Sequence, residues 1–380
     1  MTLLFACACG IVIGNLYYSQ PLLAAIAASF GRQPAELGYL VTLTQLGYAA
    51  SLLVVVPLGD VVNRHTLIVR LLVANVVALV AVASSTRYGF FVAANMCVGF
   101  VTCSTQLLVP FAASLADDGA RGRAIGTVMS GLLLGILLAR PAASFIADHF
   151  GWRAVFAASV AALAALAAVI VARLPRSSPT STLPYGKLLA SMWQLVRELR
   201  GLREASMTGG AIFAAFSAFW PVLTLLLAGA PFHLGPQAAG LFGIVGAAGA
   251  LAAPYAGRFA DKRGPRAIIS LAIALIAASF AIFALSGASL IGLVIGVIVL
   301  DVGVQAAQIS NQSRIYALKP DARSRVNTVF MVCYFIGGAI GSSAGVAAWR
   351  ATGWLGMCAV GLLFSIVAAI VHFRGGAGAR

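Results

Sequence analysis

Long apolar runs separated by short polar breaks pattern the whole chain. Twelve of them predict membrane-spanning helices, near 3–30, 36–58, 66–86, 88–115, 123–147, 152–174, 206–230, 236–257, 266–286, 289–318, 325–349 and 353–373. Each is long enough to cross about 30 Å of hydrocarbon at roughly 1.5 Å per residue. The first run follows Met1 almost at once. It is too long for the apolar core of a signal peptide and has no basic residues ahead of it, so no cleaved leader is expected.

Composition agrees with that pattern. Of 380 residues, 61% are hydrophobic and 9% charged, and the mean hydropathy is +0.99. Soluble domains carry about 25% charged residues, and a water-soluble fold could not hide this much apolar surface. The expected solvent is the bilayer, and the expected fold an all-α membrane protein. All six cysteines fall in apolar runs and none makes a CxxC pair, so neither a disulfide framework nor a metal site is expected.

The net charge of +15 would suggest nucleic acid in a soluble protein, but its placement points to topology. With the N-terminus inside, the inner loops and tail hold twenty of the 25 Lys and Arg residues, and the outer loops hold four. The remaining one, Arg140, lies within the fifth run. Both termini are therefore expected on the cytoplasmic side of the membrane.

The two halves repeat. Asp60 and Asp261 are 201 positions apart, Ala120-Arg121-Gly122-Arg123 and Ala322-Arg323-Ser324-Arg325 are 202 apart, and so are Gly151-Trp152 and Gly353-Trp354. This predicts two parallel-repeat six-helix bundles, residues 1–174 and 206–380, a transporter architecture with the substrate site between the repeats. Residues 175–205 join them. Leu188, Met192, Leu195, Leu199 and Leu202 fall at helical spacing there, which predicts an amphipathic helix lying in the inner membrane surface.

On these residues the chain resembles the major facilitator superfamily, over all twelve runs. The family's loop signature, Gly-x-x-x-Asp-basic-x-Gly-basic-basic, is matched in the second half by Gly257, Asp261, Lys262, Gly264 and Arg266. The first half keeps Asp60 and Arg64, but Val56, Val61 and Asn63 replace the other signature residues. The opening stretch Asn15-Leu16-Tyr17-Tyr18-Ser19-Gln20-Pro21 is similar to that of the bacterial proton-driven drug efflux carriers. The resemblance implies that Asp60, Arg64, Gly257, Asp261, Lys262, Gly264 and Arg266 form a latch at the inner face. The other reading of the two aspartates is loop charge that only sets topology. In the family's antiporters a glycine series marks the fifth span. Here Gly131, Gly135 and Ala139 keep that spacing but Arg140 precedes Pro141, a departure, and Gly337, Gly341 and Gly345 form the matching row in the eleventh. Both rows are expected to be sliding contacts between the halves.

Candidate transport residues come from polar groups inside apolar runs. Asp301, Gln305, Gln308 and Gln312 fall at i, i+4, i+7 and i+11, one stripe of the tenth helix. An ionised Asp inside a membrane helix costs about 2.5–3.5 kcal/mol even on lenient scales, so such a residue usually faces water, a partner or a ligand. Asp301 is the proton-coupling candidate; the bland reading is a hydrogen-bonded structural carboxyl. Arg140 either pairs with Asp301 in one state or receives an anionic substrate group. The resemblance implies that the first, fourth, seventh and tenth spans line a central cavity. Asn15, Tyr18, Asn95, Thr102, Gln106, Trp220, Gln305, Gln308 and Gln312 are then its expected lining, with Gln45 of the second span as a further candidate and Tyr18 mapped onto Trp220 at the 202-residue offset.

No phosphate-binding glycine loop, metal cluster or catalytic triad is apparent. The chain is expected to be a monomeric, cofactor-free secondary transporter with a small-molecule substrate, protons and the bilayer as partners, and no nucleic acid. Proton-coupled efflux of small amphipathic compounds is the leading function. A metabolite carrier, anionic metabolites included, and a non-transporting membrane sensor are the alternatives.

Overall fold

The computed structural model describes residues 1–115, 121–174, 184–235, 237–246, 264–319 and 322–377. Among them the regular structure is helical throughout. The order is α1 (Thr2–Gly14), α2 (Leu23–Ser29), α3 (Tyr39–Val54) after a short 3₁₀ turn, α4 (Leu58–Val61), α5 (Arg64–Ala83), α6 (Tyr88–Val101), α7 (Ser104–Ser114), α8 (Arg121–Phe150) and α9 (Trp152–Arg173). After the connecting α10 (Tyr185–Glu198) come α11 (Arg200–Ala228), α12 (Gln237–Gly246), α13 (Pro265–Leu285), α14 (Leu290–Leu318) and α15 (Arg323–Ala377). Nine helical segments of the described residues are long and apolar enough to cross a bilayer. One of these, α15, turns at Gly353, where φ of 70° interrupts the helix. Thr2–Gly14 and Gln237–Gly246 are shorter apolar helices at the places of the first and eighth expected spans.

The internal repeat is visible in local geometry. Gly151 separates α8 from α9 at φ 83°, and Gly353 makes the matching break. Left-handed backbone suits glycine because it has no Cβ. The packing repeats as well: α1 lies on α8 as α11 lies on the first part of α15, and α5 lies on α6 and α9 as α13 lies on α14 and α15. The signature's departure in the first half has a local answer. Gly264 takes φ 81° ahead of α13, whereas Asn63 keeps φ −61° and caps α5 by accepting the Thr66 N–H at 3.3 Å.

Three expectations change. The first run is not one helix: turns replace it between Asn15 and Leu22, ahead of Pro21, as expected of residues preceding a proline. The glycine rows do not slide between repeats. Gly131 and Gly135 lie on the backbone of Ala6 and Gly10 in α1, and Gly337, Gly341 and Gly345 lie on Gly210, Ala214 and Ala218 in α11. The missing side chains let each pair of helices touch backbone to backbone inside its own repeat. Third, the apolar stripe of α10 does not face a membrane surface. Leu188, Met192 and Leu195 are buried, and α10 packs on α11 and α15. Leu199 ends α10 in extended backbone and Leu202 belongs to α11.

Contacts between the repeats bring α3 against α15 and α2 against α11. Thr42 and Ser343 hydroxyls sit 2.9 Å apart, Gln45 Nε2 donates to Ser217 Oγ at 3.2 Å, and Tyr48 meets the edge of Phe335 at 4.5 Å between ring centres. Large apolar side chains such as Phe150, Leu285 and Ile291 point outward, as an outer surface solvated by lipid requires.

Candidate functional site

The break in the first span creates the site. A turn exposes polar backbone, and inside a membrane protein this is tolerated only where protein or a cavity covers it. Here the turn between α1 and α2 presents Tyr17 and Gln20 to α8 and α11. The Thr224 hydroxyl of α11 donates to the Gln20 carbonyl at 3.2 Å. Gln20 Oε1 in turn accepts the Arg140 Nε–H at 3.0 Å.

Arg140 is held by aromatic faces from both repeats. Its guanidinium carbon lies 3.9 Å from the ring centre of Trp220 and 5.0 Å from that of Tyr17. Such stacking offsets part of the cost of a buried cation. α12 closes the side: Gly243 packs against the Arg140 stem, and Gly246 packs against the Asp301 carboxyl. A Cβ at Gly246 would stand 3.0 Å from Asp301 Oδ2.

Asp301 sits in the middle of α14 and is 8% exposed; Arg140 is 5% exposed. Each lies in electrostatic range of the other. Among the described residues no ion pair joins them, and Asp301 Oδ2, Arg140 Nη2 and Trp220 Nε1 have no hydrogen-bond partner. A buried charge left without a direct partner is costly, so the arrangement is poised rather than locked.

The other expected cavity residues divide. Gln45 reaches Ser217 across the repeats, and its Oε1 is unpartnered among the described residues. Gln308 accepts from Tyr334 at 3.4 Å, Gln312 donates to Asn327 at 3.5 Å, and Gln305 is half-buried between Asp301 and Gln308 on the stripe. Gln106 donates to the Tyr48 hydroxyl at 3.2 Å. Asn15, Asn95 and Thr102 serve helix packing instead: Asn15 accepts from Ser159 at 2.7 Å, Asn95 donates to Ser19 at 3.0 Å, and Thr102 accepts from Asn75 at 3.3 Å. The Tyr18 hydroxyl lies against Gly14, and the rings stacked on Arg140 are those of Tyr17 and Trp220. The turn at Asn15–Leu22 shifts the register, so Tyr17, not Tyr18, faces Trp220 around the guanidinium. Pro21 was the signal for that shift.

Asp60 accepts from Arg64 at 2.9 Å, and Arg64 Nε donates to the Gly59 carbonyl. Gly257, Asp261 and Lys262 lie outside the described residues. Gly264 forms the positive-φ turn ahead of α13, and Arg266 joins a different group. Glu204 of α11, 7% exposed, receives Arg266 at 3.0 Å and Arg314 at 3.2 Å, and the His372 ring nitrogen lies 3.7 Å away. Sequence patterning missed Glu204 because it fell in the presumed connector.

A repeated bundle of apolar helices, with a buried arginine and a buried aspartate enclosed where the repeats meet, defines a multi-pass membrane carrier. A family model described as Major Facilitator Superfamily matches residues 4–342, and the chain belongs to that family. It is 39% identical over 375 residues to "Uncharacterized transporter YgaY" of Escherichia coli, covering 99% of this chain and 95% of that one. It is 34% identical over 360 residues to "Probable transporter SCO4007" of Streptomyces coelicolor, covering 94% and 83%. Among solved structures, the nucleoside transporter NupG aligns with a TM-score of 0.70 at 15% identity, covering 99% of this chain and 98% of that one. The human organic anion transporter MFSD10 (TETRAN) aligns with a TM-score of 0.73 at 16% identity, covering 98% and 99%. These likenesses carry the fold. The protein is a membrane transporter and not an enzyme.

Proposed function

We propose that the chain is a secondary active transporter that couples movement of a small amphipathic compound to protons by alternating access. It works in the bacterial inner membrane with both termini cytoplasmic, its two six-helix bundles residues 1–174 and 206–380. The observation that supports this reading is Asp301: a buried carboxyl, with Oδ2 unpartnered among the described residues, near Arg140 but not paired with it. Protonation removes the charge that faces Arg140, so the two protonation states favour different arrangements of the repeats around them.

Efflux is the direction the family resemblance implies, and it requires that proton and compound displace one another. A carrier that takes an anion with the proton is the second reading, and the unpartnered Arg140 Nη2 favours it. Both are tested in proteoliposomes carrying a pH gradient, read with a pH-sensitive dye while a compound library is added. With the compound added outside, exchange drives protons outward and discharges an acid-inside gradient, whereas co-transport carries protons inward and discharges an acid-outside one, so the gradient that collapses identifies the coupling. Asp301→Asn is expected to abolish proton movement coupled to that compound. Full coupling in the variant removes Asp301 from the mechanism.

A further inference from the structure

The side chains around Arg140 say more about the compound than its size. Two donors at this spot, Arg140 Nη2 and Trp220 Nε1, are buried and have no hydrogen-bond partner among the described residues. They belong to groups in direct contact, one from each repeat. Buried donors left unmatched are costly, and an acceptor-rich group relieves both. A cation is disfavoured here by the guanidinium itself. Protein acceptors around it are few: Gln20 Oε1 is taken by Arg140 Nε, and the Asp301 carboxyl is near but not paired.

We propose that Arg140 and Trp220 form the receptor for the carboxylate of an organic anion, with Gln20 and Tyr17 fixing the guanidinium in place. This rests on the second transport reading, the carrier that takes an anion with the proton, and names the charged group of its substrate. The anion and the Asp301 carboxylate compete for one guanidinium, so the anion binds best when Asp301 carries a proton. Proton and anion then occupy the site together, which is the sign of coupling opposite to drug–proton exchange. The charged and titratable groups facing the pair are Tyr17 from the turn, Tyr334 from α15 and Asp301 from α14. The elements α11 and α12 contribute Trp220, Gly243 and Gly246, none of which titrates.

Benzoate, a flat monocarboxylate, is the probe, and benzylammonium is its counterpart of opposite charge. Calorimetric titration of the purified full-length protein in detergent is expected to show saturable benzoate binding that strengthens as pH falls. Benzylammonium is expected to bind at least about tenfold more weakly. Arg140→Gln is expected to weaken benzoate about tenfold, the effect of losing a charge-assisted hydrogen bond. Trp220→Phe, which keeps an aromatic face under the guanidinium but replaces the indole with a smaller phenyl ring and removes its N–H, is expected to weaken it about threefold. That variant guards against an Arg140→Gln protein that fails to fold. Asp301→Asn is expected to bind benzoate with no pH dependence. Equal affinity for both probes, absence of saturable benzoate binding, or benzoate binding untouched by both Arg140→Gln and Trp220→Phe would overturn the proposal. Binding is measured without flux. If Asp301→Asn leaves coupled transport intact while benzoate binds as expected, only the coupling reading falls; if benzoate fails while Asp301→Asn stops proton movement, only the anion receptor does.

Discussion

Glu204 Oε2 stands 3.2 Å from Arg314 Nη2, which ties the start of α11 to the end of α14 through a carboxylate that is only 7% exposed. Arg266 from α13 and His372 from the end of α15 close on the same carboxylate. Arg266 also donates from Nη2 to the His372 carbonyl at 2.6 Å, and the Ser270 hydroxyl meets the His372 ring at 3.0 Å. Four helices of the second repeat are thus gathered at one end by one acid. The site between the repeats lies elsewhere: Asp301 precedes Arg314 by thirteen residues on α14, and Arg140 is on α8.

Removing that acid leaves its basic neighbours facing each other with no compensating charge. Glu204→Gln is expected to destabilise the protein by about 3–5 kcal/mol, the cost of leaving a buried ion pair without one partner. Arg266→Gln, at the more exposed end of the cluster, is expected to cost about 1 kcal/mol. Thermal unfolding in detergent, followed by scattering or by a thiol-reactive dye on buried cysteines, measures both. Equal melting temperatures for wild type and Glu204→Gln would show that the cluster does not hold the helices.

The repeat's small-residue row makes a second claim about packing. Gly341 lies on the backbone of Ala214, so even an added methyl group has no side chain to push aside and must move a helix. Gly341→Ala is expected to cost about 1–3 kcal/mol, as overpacked sites do. Gly126, in α8, has nothing within 4 Å of a Cβ. Gly126→Ala is expected to be neutral, or to stabilise by roughly 0.4–1 kcal/mol through the unfolded chain. Melting temperatures of the two variants against wild type decide it; a neutral Gly341→Ala would mean that the helices have room to spare.

Much of this architecture was written in periodicity. Long apolar runs and landmarks offset by 201 or 202 positions gave the helices and their repeat, because the bilayer imposes length and polarity on each segment. Arg140, Trp220 and Asp301 stood out for the same reason, as polar or aromatic groups where lipid-facing residues belong. What the pattern could not carry was rotation. Treating the first run as an unbroken helix placed Tyr18 at the centre, and the turn ahead of Pro21 hands that place to Tyr17 and Gln20. Asn15, Asn95 and Thr102 have the composition of cavity residues, yet neighbouring hydroxyls and amides consume them. A list of polar residues does not say which ones already have partners.

The contact between Thr42 and Ser343 offers a direct test of movement. The two residues belong to different repeats, and their hydroxyl oxygens lie 2.9 Å apart. Alternating access requires the repeats to rock about the site between them, so contacts of this kind must part in one half of the cycle. Cysteines placed at both positions would put their sulfur atoms where the two hydroxyls now touch, the approach from which a disulfide can form. Thr42→Cys with Ser343→Cys is expected to cross-link under mild oxidation and to lose transport in proteoliposomes. A reducing agent is expected to restore it. Each single variant, carrying the same six native thiols, is expected to keep transport through the same treatment. If the oxidised double variant is fully cross-linked and still transports at the wild-type rate, α3 and α15 stay together throughout the cycle, and the rocking motion must be sought at another contact between the repeats.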